Sequence, residues 1–313
     1  LARIFVDHAV PSNAPNPAEA SIVFKGGTSL SKAYGAIERF SEDIDLTIDR
    51  NILGFSGPEH DPATQPSRKK AGAVLKAISE AGRNYVSGPL LDTLGRNIAA
   101  TLSATAIWSI EPDPEDSATL IFRYPRALAA EEYDFYVSPA VRLECGARGD
   151  VWPSVTRTIH AYTAEDFPEL FTKADVVVDV LDAERTFWEK ATLLHEIAHR
   201  AEAEPPGWLA PRLSRHYYDL ATLADQAIGT NAVSRIDLLH EVAKHKAAFF
   251  PRPAAHFELA TPGTLRLVPK FEAMNGLQRD YADMRQMFFA DPPSFDMVID
   301  RLRQLESTIN ALT

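Results

Sequence analysis

Apolar positions change texture along the chain. The first clear run is Ile22-Val23-Phe24; it stops at Gly26-Gly27-Thr28, a helical spacing follows, and an alternating stretch, Asp43-Ile44-Asp45-Leu46, comes next. A short apolar run, a glycine turn, a helix and an alternation predict a strand over Ser21–Lys25, a helix, and a second strand. Leu1–Val10 reads as the end of a helix cut short by Pro11, Pro15 and Pro17. The stretch from Asp49 to Pro66 is rich in Gly, Pro, Asn and Asp and predicts a loop. Arg68–Ala81 has helical spacing at Ala73, Leu75 and Ile78, and a further helix is expected over Leu90–Ser103. Between Ala104 and Thr163 four β-like runs appear, ATAIWSI, ATLIFRYP, SPAVRLEC and VTRTIHAYT, separated by turn residues. Asp175–Asp182 (DVVVDVLD) then leads into helical spacing that continues to the C-terminus, interrupted by proline clusters. The pattern predicts an α/β fold, with a small mixed sheet in residues 1–180 and a helical domain over 181–313 that completes a cleft.

Bulk numbers narrow the class. A chain of 313 residues, 45% hydrophobic, can bury a sizeable core, and neither disorder nor a fibrous repeat fits. A single cysteine, Cys145, excludes an internal disulfide and suits the reducing cytoplasm. No apolar run approaches a membrane span, and no signal peptide is evident; because the chain starts at Leu1, a few residues are expected to precede it. The net charge of −11 argues against a protein that coats nucleic acid non-specifically. A nucleic-acid substrate would need a local basic patch, for which Arg68-Lys69-Lys70, Arg200, Arg212 with Arg215, and Lys244 with Lys246 are available, while the acidic remainder suits a basic partner.

The chemistry concentrates in Phe24–Asp49. Gly26 and Gly27 permit positive φ and close approach of a ligand to the backbone, so the amides behind the strand can face a phosphate; Thr28 is placed to cap the helix or to offer its hydroxyl. On a strand, i and i+2 share a face, so Asp43 and Asp45 would present hard oxygen ligands together while Ile44 and Leu46 turn inward. Two carboxylates beside a triphosphate describe a Mg²⁺ site for in-line displacement. A turn alone or an Asp-x-Asp alone is commonly only a turn or a solvated edge; the combination in one unit is the specific signal.

KGGTSLSK followed by RFSEDIDL resembles the signature of the AbiEii toxin family, nucleotidyltransferases of the DNA polymerase β superfamily that form the toxin half of a type IV toxin–antitoxin pair. The matching residues are Gly27, Thr28, Asp43 and Asp45, and the resemblance spans about Val23 to Leu223. It implies a polymerase β-like core followed by a helical C-terminal domain. It also implies a third carboxylate on a later strand: Glu144 alternates with Val141, Leu143 and Cys145 and matches that role, although a surface strand glutamate would look the same. Lys190, in the helix pattern ERTFWEKATLLHEIAHR, matches a family lysine directed at the nucleotide; the bland reading is a solvated lysine with its stem along an apolar face. In RLSRHYYDLATL the family reading sends Asp219 to the active centre with Arg215 in support, where spacing alone gives an i, i+4 ion pair.

The implied reaction is transfer of a nucleoside monophosphate from an NTP to an acceptor hydroxyl, the 3′ end of tRNA, so that translation and growth stop. Mg²⁺ in a two-metal site, with Mn²⁺ as the alternative, would be held by Asp43, Asp45 and Glu144. Gly26, Gly27, Thr28 and Lys190 would hold phosphates, with Lys32, Ser41 and Arg215 in support. A cognate antitoxin is the expected partner. The same core would also serve a small-molecule (antibiotic-type) or protein nucleotidyltransferase or kinase. One motif competes: His195-Glu196-Ile197-Ala198-His199 is a literal H-E-x-x-H, able on a helix to bind Zn²⁺ with Glu196 as base, but the extended form fails because Glu202 stands where glycine is needed.

Overall fold

The computed structural model describes residues 22–41, 43–126, 140–171, 174–202, 204–205 and 208–312; the helix end expected over Leu1–Val10 lies outside them. The chain divides into two compact units, Leu1–Ala33 with Ser41–Leu181, and Tyr34–Phe40 with Asp182–Thr313.

Among the described residues, the first unit is a mixed seven-stranded sheet with helices. β1 (Ile22–Lys25) runs into α1 (Gly26–Lys32), and β2 (Asp43–Ile48) returns antiparallel to β1, Phe24 opposite Leu46 and Lys25 opposite Asp45. β3 (Ser109–Pro112), β4 (Thr119–Arg123), β5 (Val141–Gly146), β6 (Ser154–His160) and β7 (Asp175–Leu181) complete it in the order β3-β4-β5-β2-β1-β7-β6, with β2/β5 and β1/β7 parallel. Val23, Leu46, Ile48, Leu120, Leu143 and Val180 form its buried face. The run at Ala104 becomes a strand only from Ser109, and Ile107 ahead of it is 88% exposed.

The loop after Asp49 is folded into short helical turns before α2 (Arg68–Tyr85), which Ser67 caps through Oγ. Gly82 lets α2 lie directly on Ala147, since a Cβ there would stand 2.8 Å from that of Ala147. A wider turn carrying Pro89, Val86–Leu90, joins α2 to α3 (Leu91–Thr101); the extra residue in the turn accommodates a proline that would break a regular helix. A short α4 (Tyr162–Asp166) lies between β6 and β7.

The second unit is helical: α5 (Ala183–Arg200), α6 (Ser214–Ala224), α7 (Ala227–Ser234), α8 (Ile236–Phe249), α9 (Phe271–Asp283) and α10 (Phe295–Asn310). Asp182 caps α5 by accepting from the Glu184 N–H. α5 is buried around most of its circumference, Phe187, Trp188, Ala191 and Leu194 among the residues enclosed, which marks it as the central helix of this unit. Tyr34–Phe40 joins the unit as an extended segment: Phe40 N–H donates to Met287 O (2.6 Å), Phe289 N–H to Glu38 O (3.2 Å), and Gln226 reaches Ala36 O (2.8 Å). Among the described residues no helix is long and apolar enough to cross a membrane.

Candidate active site

The β2/β5 register builds an acidic face. Asp45 lies opposite Glu144 and Asp43 opposite Arg142, so strand alternation brings all four side chains out together. Leu46, Leu143 and Cys145 go to the buried side, and Ile44 is part-buried. Arg142 sits inside the acidic group, its Nε 3.8 Å from Asp43 and 3.9 Å from Glu144, and its Nη2 2.7 Å from Asp113. The Glu115 N–H first, and Arg142 after it, hold the Asp113 carboxyl below its ordinary range. Three carboxylates on neighbouring strands fit Mg²⁺ or Mn²⁺ in donor chemistry. They are not closed into a ready-made cage: among the described residues no three His, Cys, Asp or Glu are gathered as a metal site, and the arginine supplies the counter-charge instead.

The glycine turn works through one residue. Gly26 has φ +77°, and the Asp45 carboxylate occupies the space a Gly26 side chain would need. Gly27 is buried within α1. Thr28 is not the cap; Lys25 holds that position, and the Thr28 hydroxyl donates to the Asp43 carbonyl, tying the turn helix to the first acidic residue. Lys32 places its ammonium over the Tyr162 ring, 3.0 Å from the centroid, rather than in open solvent; burial lowers its pKa, and Glu165 opposes that. Ser41 is part-exposed, two residues ahead of Asp43.

In the second unit a buried charge cluster joins α5, α6 and the Tyr34–Phe40 segment. Asp219, fully buried, takes Arg39 Nε on Oδ1 and Arg39 Nη2 and Lys190 Nζ on Oδ2, each at 2.7 Å. Lys190 is 5% exposed and Arg39 1%. Burial pushes the Asp219 carboxyl up, but the two cations more than reverse it and hold it well below the usual carboxylate range. For Lys190 burial dominates and lowers the pKa, with Asp219 opposing and Arg39 adding to the shift. His216 Nδ1 lies 3.5 Å from Lys190 Nζ, and burial followed by Lys190 and Arg215 keeps its ring well below its ordinary value, hence neutral near pH 7. The i, i+4 spacing of Arg215 and Asp219 suggested their pairing, yet the ligands of Asp219 are Arg39 and Lys190; Arg215, on the same helix, acts on Lys190 and His216 through its charge.

Arg39 is the residue the sequence did not single out. Its partner is 180 positions away, so no local spacing points to it; the available signal was an apolar helix carrying a lysine that needed a buried counter-ion, and a polar stretch ahead of Asp43 with a single arginine.

The H-E-x-x-H stretch is structural. His195 is fully buried with both ring nitrogens engaged: Nδ1 accepts from the Arg266 N–H (3.0 Å), and Nε2 donates to His256 O (3.0 Å). Glu196, which would be the base, pairs with Arg252 at 2.7 Å and Arg200 at 3.3 Å. A zinc ligand needs a free ring nitrogen, and His195 has none to give. Two of the basic residues nominated for nucleic acid are likewise committed, Arg200 to Glu196 and Glu204, and Lys246 to Glu189 O (2.9 Å), whereas Arg68, Lys69 and Lys70 are exposed at the start of α2.

A mixed α/β protein in which a glycine turn runs through one helix into a same-face acidic strand pair has the layout of a nucleotidyltransferase. The family model described as nucleotidyl transferase AbiEii toxin, type IV toxin–antitoxin system, matches residues 13–301, and the chain belongs to that family of nucleotidyltransferase toxins. No curated protein sequence matches. Among solved structures, MenT4, nucleotidyltransferase toxin Rv2826c from Mycobacterium tuberculosis H37Rv, is similar at 15% identity with a TM-score of 0.48, covering 95% of this chain and 79% of that one.

Proposed function

We propose that the protein is a Mg²⁺-dependent nucleotidyltransferase that moves a nucleoside monophosphate from an NTP to the 3′-terminal hydroxyl of tRNA in the cytoplasm, arresting translation until a cognate antitoxin counters it. The observation that carries the chemistry is the in-register placement of Asp45 beside Glu144, with Asp43 on the same face and Gly26 giving Asp45 room. Asp43, Asp45 and Glu144 would hold the metal, with Mn²⁺ as the alternative ion. When bound, the metal neutralises charge on the reacting phosphates and lowers the pKa of the attacking hydroxyl.

The residues have separate tasks. Asp43 and Asp45 present oxygens in a fixed orientation because the β2 ladder and the Thr28 hydroxyl hold the backbone that carries them. Glu144, the carboxylate more exposed than Asp43, takes the proton as the acceptor oxygen bonds to the α-phosphorus and pyrophosphate leaves. The Gly26–Thr28 backbone, with Lys32 and Ser41 in support, is the phosphate contact assigned to the strand unit, and Lys190, with Asp219 and Arg215 in support, is the one assigned to the helical unit. The acceptor is the one the family resemblance implies, and the exposed Arg68-Lys69-Lys70 run is a local basic surface suited to an RNA backbone on a chain that is otherwise acidic.

The test is incubation with each labelled NTP in turn, with total tRNA, with small aminoglycoside acceptors and with protein alone. Label on the tRNA 3′ end that disappears in Asp43→Ala supports the reading. Label on protein or on the small acceptor replaces the acceptor, and label that persists in Asp43→Ala overturns the site.

A further inference from the structure

The metal-holding role given to Asp43, Asp45 and Glu144 leaves Arg142 without a task. The arginine lies on an interior strand, opposite Asp43 across β2/β5 and opposite Ile121 across β4/β5. Its contacts are unequal. Nε stands 3.8 Å from Asp43 and 3.9 Å from Glu144, beyond hydrogen-bond distance, whereas Nη2 donates to Asp113 Oδ2 at 2.7 Å. Asp113 is itself fixed just after β3: its N–H donates to Thr119 O (2.8 Å), its Oδ1 accepts from the Glu115 N–H (2.9 Å), and it is 9% exposed. Burial opposes the charge of Arg142, and Asp113, ahead of Glu144 and Asp43, more than offsets it. The guanidinium is therefore anchored on a carboxylate outside the proposed metal ligands and leans on two of those ligands through charge. Its side chain is 40% exposed, and Nη1 makes no hydrogen bond among the described residues.

We propose that Arg142 is a phosphate-contacting residue of the reaction and Asp113 the positioning residue that serves it: tethered at Asp113, the guanidinium leans on Asp43 and Glu144 in the metal-free protein and turns to an oxygen of the triphosphate when metal and nucleotide are bound. The inference rests on the reading of Asp43, Asp45 and Glu144 as the metal ligands. A cation meant only to neutralise the acidic strands would hydrogen-bond them directly, and one meant only to brace the turn after β3 would gain nothing from lying beside them. A guanidinium suits both ends of the task, because its several N–H groups let Nη2 keep Asp113 while another nitrogen meets a phosphate oxygen. Held in place beforehand, it needs little rearrangement to meet the negative charge on the reacting phosphates.

Two affinities are measured on each full-length variant: Mn²⁺ alone, by electron paramagnetic resonance, and the Mn²⁺ complex of inorganic tripolyphosphate, by calorimetry at saturating Mn²⁺. Arg142→Gln is expected to bind Mn²⁺ alone about three- to tenfold more tightly and the tripolyphosphate complex about tenfold more weakly. A brace lost from the fold would weaken both, so the opposite signs belong to a cation that competes with the metal and contacts the phosphate. Arg142→Lys, which has one nitrogen to divide between Asp113 and phosphate, is expected to lose about threefold or more for tripolyphosphate even where Arg142→Gln does not fold. Asp113→Asn keeps an oxygen for the Glu115 N–H but loosens Arg142; it is expected to weaken tripolyphosphate binding by about threefold in the parent and by less than about 1.5-fold when added to Arg142→Gln. Parent-like tripolyphosphate affinity in either arginine variant, weaker Mn²⁺ binding in Arg142→Gln, or an equal effect of Asp113→Asn with and without the arginine overturns the proposal. Asp43→Ala keeps the two failures apart: if it binds Mn²⁺ like the parent, the assignment of the metal ligands fails and takes the proposal with it, whereas loss of Mn²⁺ there beside parent-like tripolyphosphate binding in Arg142→Gln overturns the proposal alone.

Discussion

A Cβ at Gly26 would stand 2.7 Å from the Asp45 Cγ and nearer still to its carboxylate oxygen, so the glycine exists as much to admit the aspartate as to make the turn. The left-handed backbone at that position adds a second reason against a side chain there. Gly26→Ala is therefore expected to cost roughly 1–2 kcal/mol of backbone strain and to displace the carboxylate. With Asp45 as the proposed metal ligand, turnover is expected to fall by about a hundredfold, and Mn²⁺ binding followed by electron paramagnetic resonance should weaken in parallel.

Arg142 stands where a divalent cation would find Asp43 and Glu144, and it competes for their charge. Arg142→Gln is expected to tighten Mg²⁺ or Mn²⁺ binding by only about three- to tenfold, because the guanidinium is partly exposed and its attraction is screened. Calorimetric titration of the metal alone measures it, and weaker binding in the variant would show that the arginine orders the carboxylates rather than competing for them.

The two ends of the buried pair are not equivalent. Asp219→Ala removes the buried carboxylate that Arg39 and Lys190 share and is expected to destabilise the fold by about 3–5 kcal/mol. Lys190→Met leaves the Arg39–Asp219 pair intact, with both oxygens still held, and should cost clearly less. Urea unfolding of the two variants at neutral pH gives the order directly.

His195 makes stability depend on acid. Burial, opposed by its bond to His256 O, brings the ring down to about 4 from an ordinary 6.5. A base depressed in the folded state contributes stability that is complete above the unfolded pKa and is lost as pH falls through the folded one, so the loss runs from about pH 6.5 towards 4 and totals about 3 kcal/mol. Denaturation midpoints across that window should fall in the parent and fall less in His195→Gln, which has no titrating ring. Protein purified without added metal should carry no stoichiometric zinc; retained zinc bound through His195 would contradict the hydrogen bonds assigned to its nitrogens.

Local patterning made β1, the turn, α1 and β2 readable because each is specified by residues within a few positions of one another: an apolar triplet, two glycines, an alternation. The phase of Glu144 against Leu143 and Cys145 placed it on the polar face by the same period-two rule, and its register opposite Asp45 is what a parallel neighbour then produces. Of the two roles open to Thr28, capping the turn helix or offering its hydroxyl, the cap position falls to Lys25 and the hydroxyl goes to the Asp43 carbonyl, which belongs to the next strand and leaves no local signal. The H-E-x-x-H spacing was visible, but the backbone groups of Arg266 and His256 that consume both nitrogens of His195 are 71 and 61 positions away. Arg39 was overlooked for the same reason: long-range pairing leaves no periodic trace.

The assignment of Tyr34–Phe40 to the helical unit means that the molecule is threaded rather than sequential. A fragment beginning at Asp182 would leave Met287, Phe289 and Gln226 without the backbone they bond, and Asp219 without its arginine. Dissection of this toxin into separately expressed halves therefore has no clean cutting point at Leu181, and a helical fragment would need the Tyr34–Phe40 strip supplied, as a fused segment or as a peptide in trans, to recover its native interior.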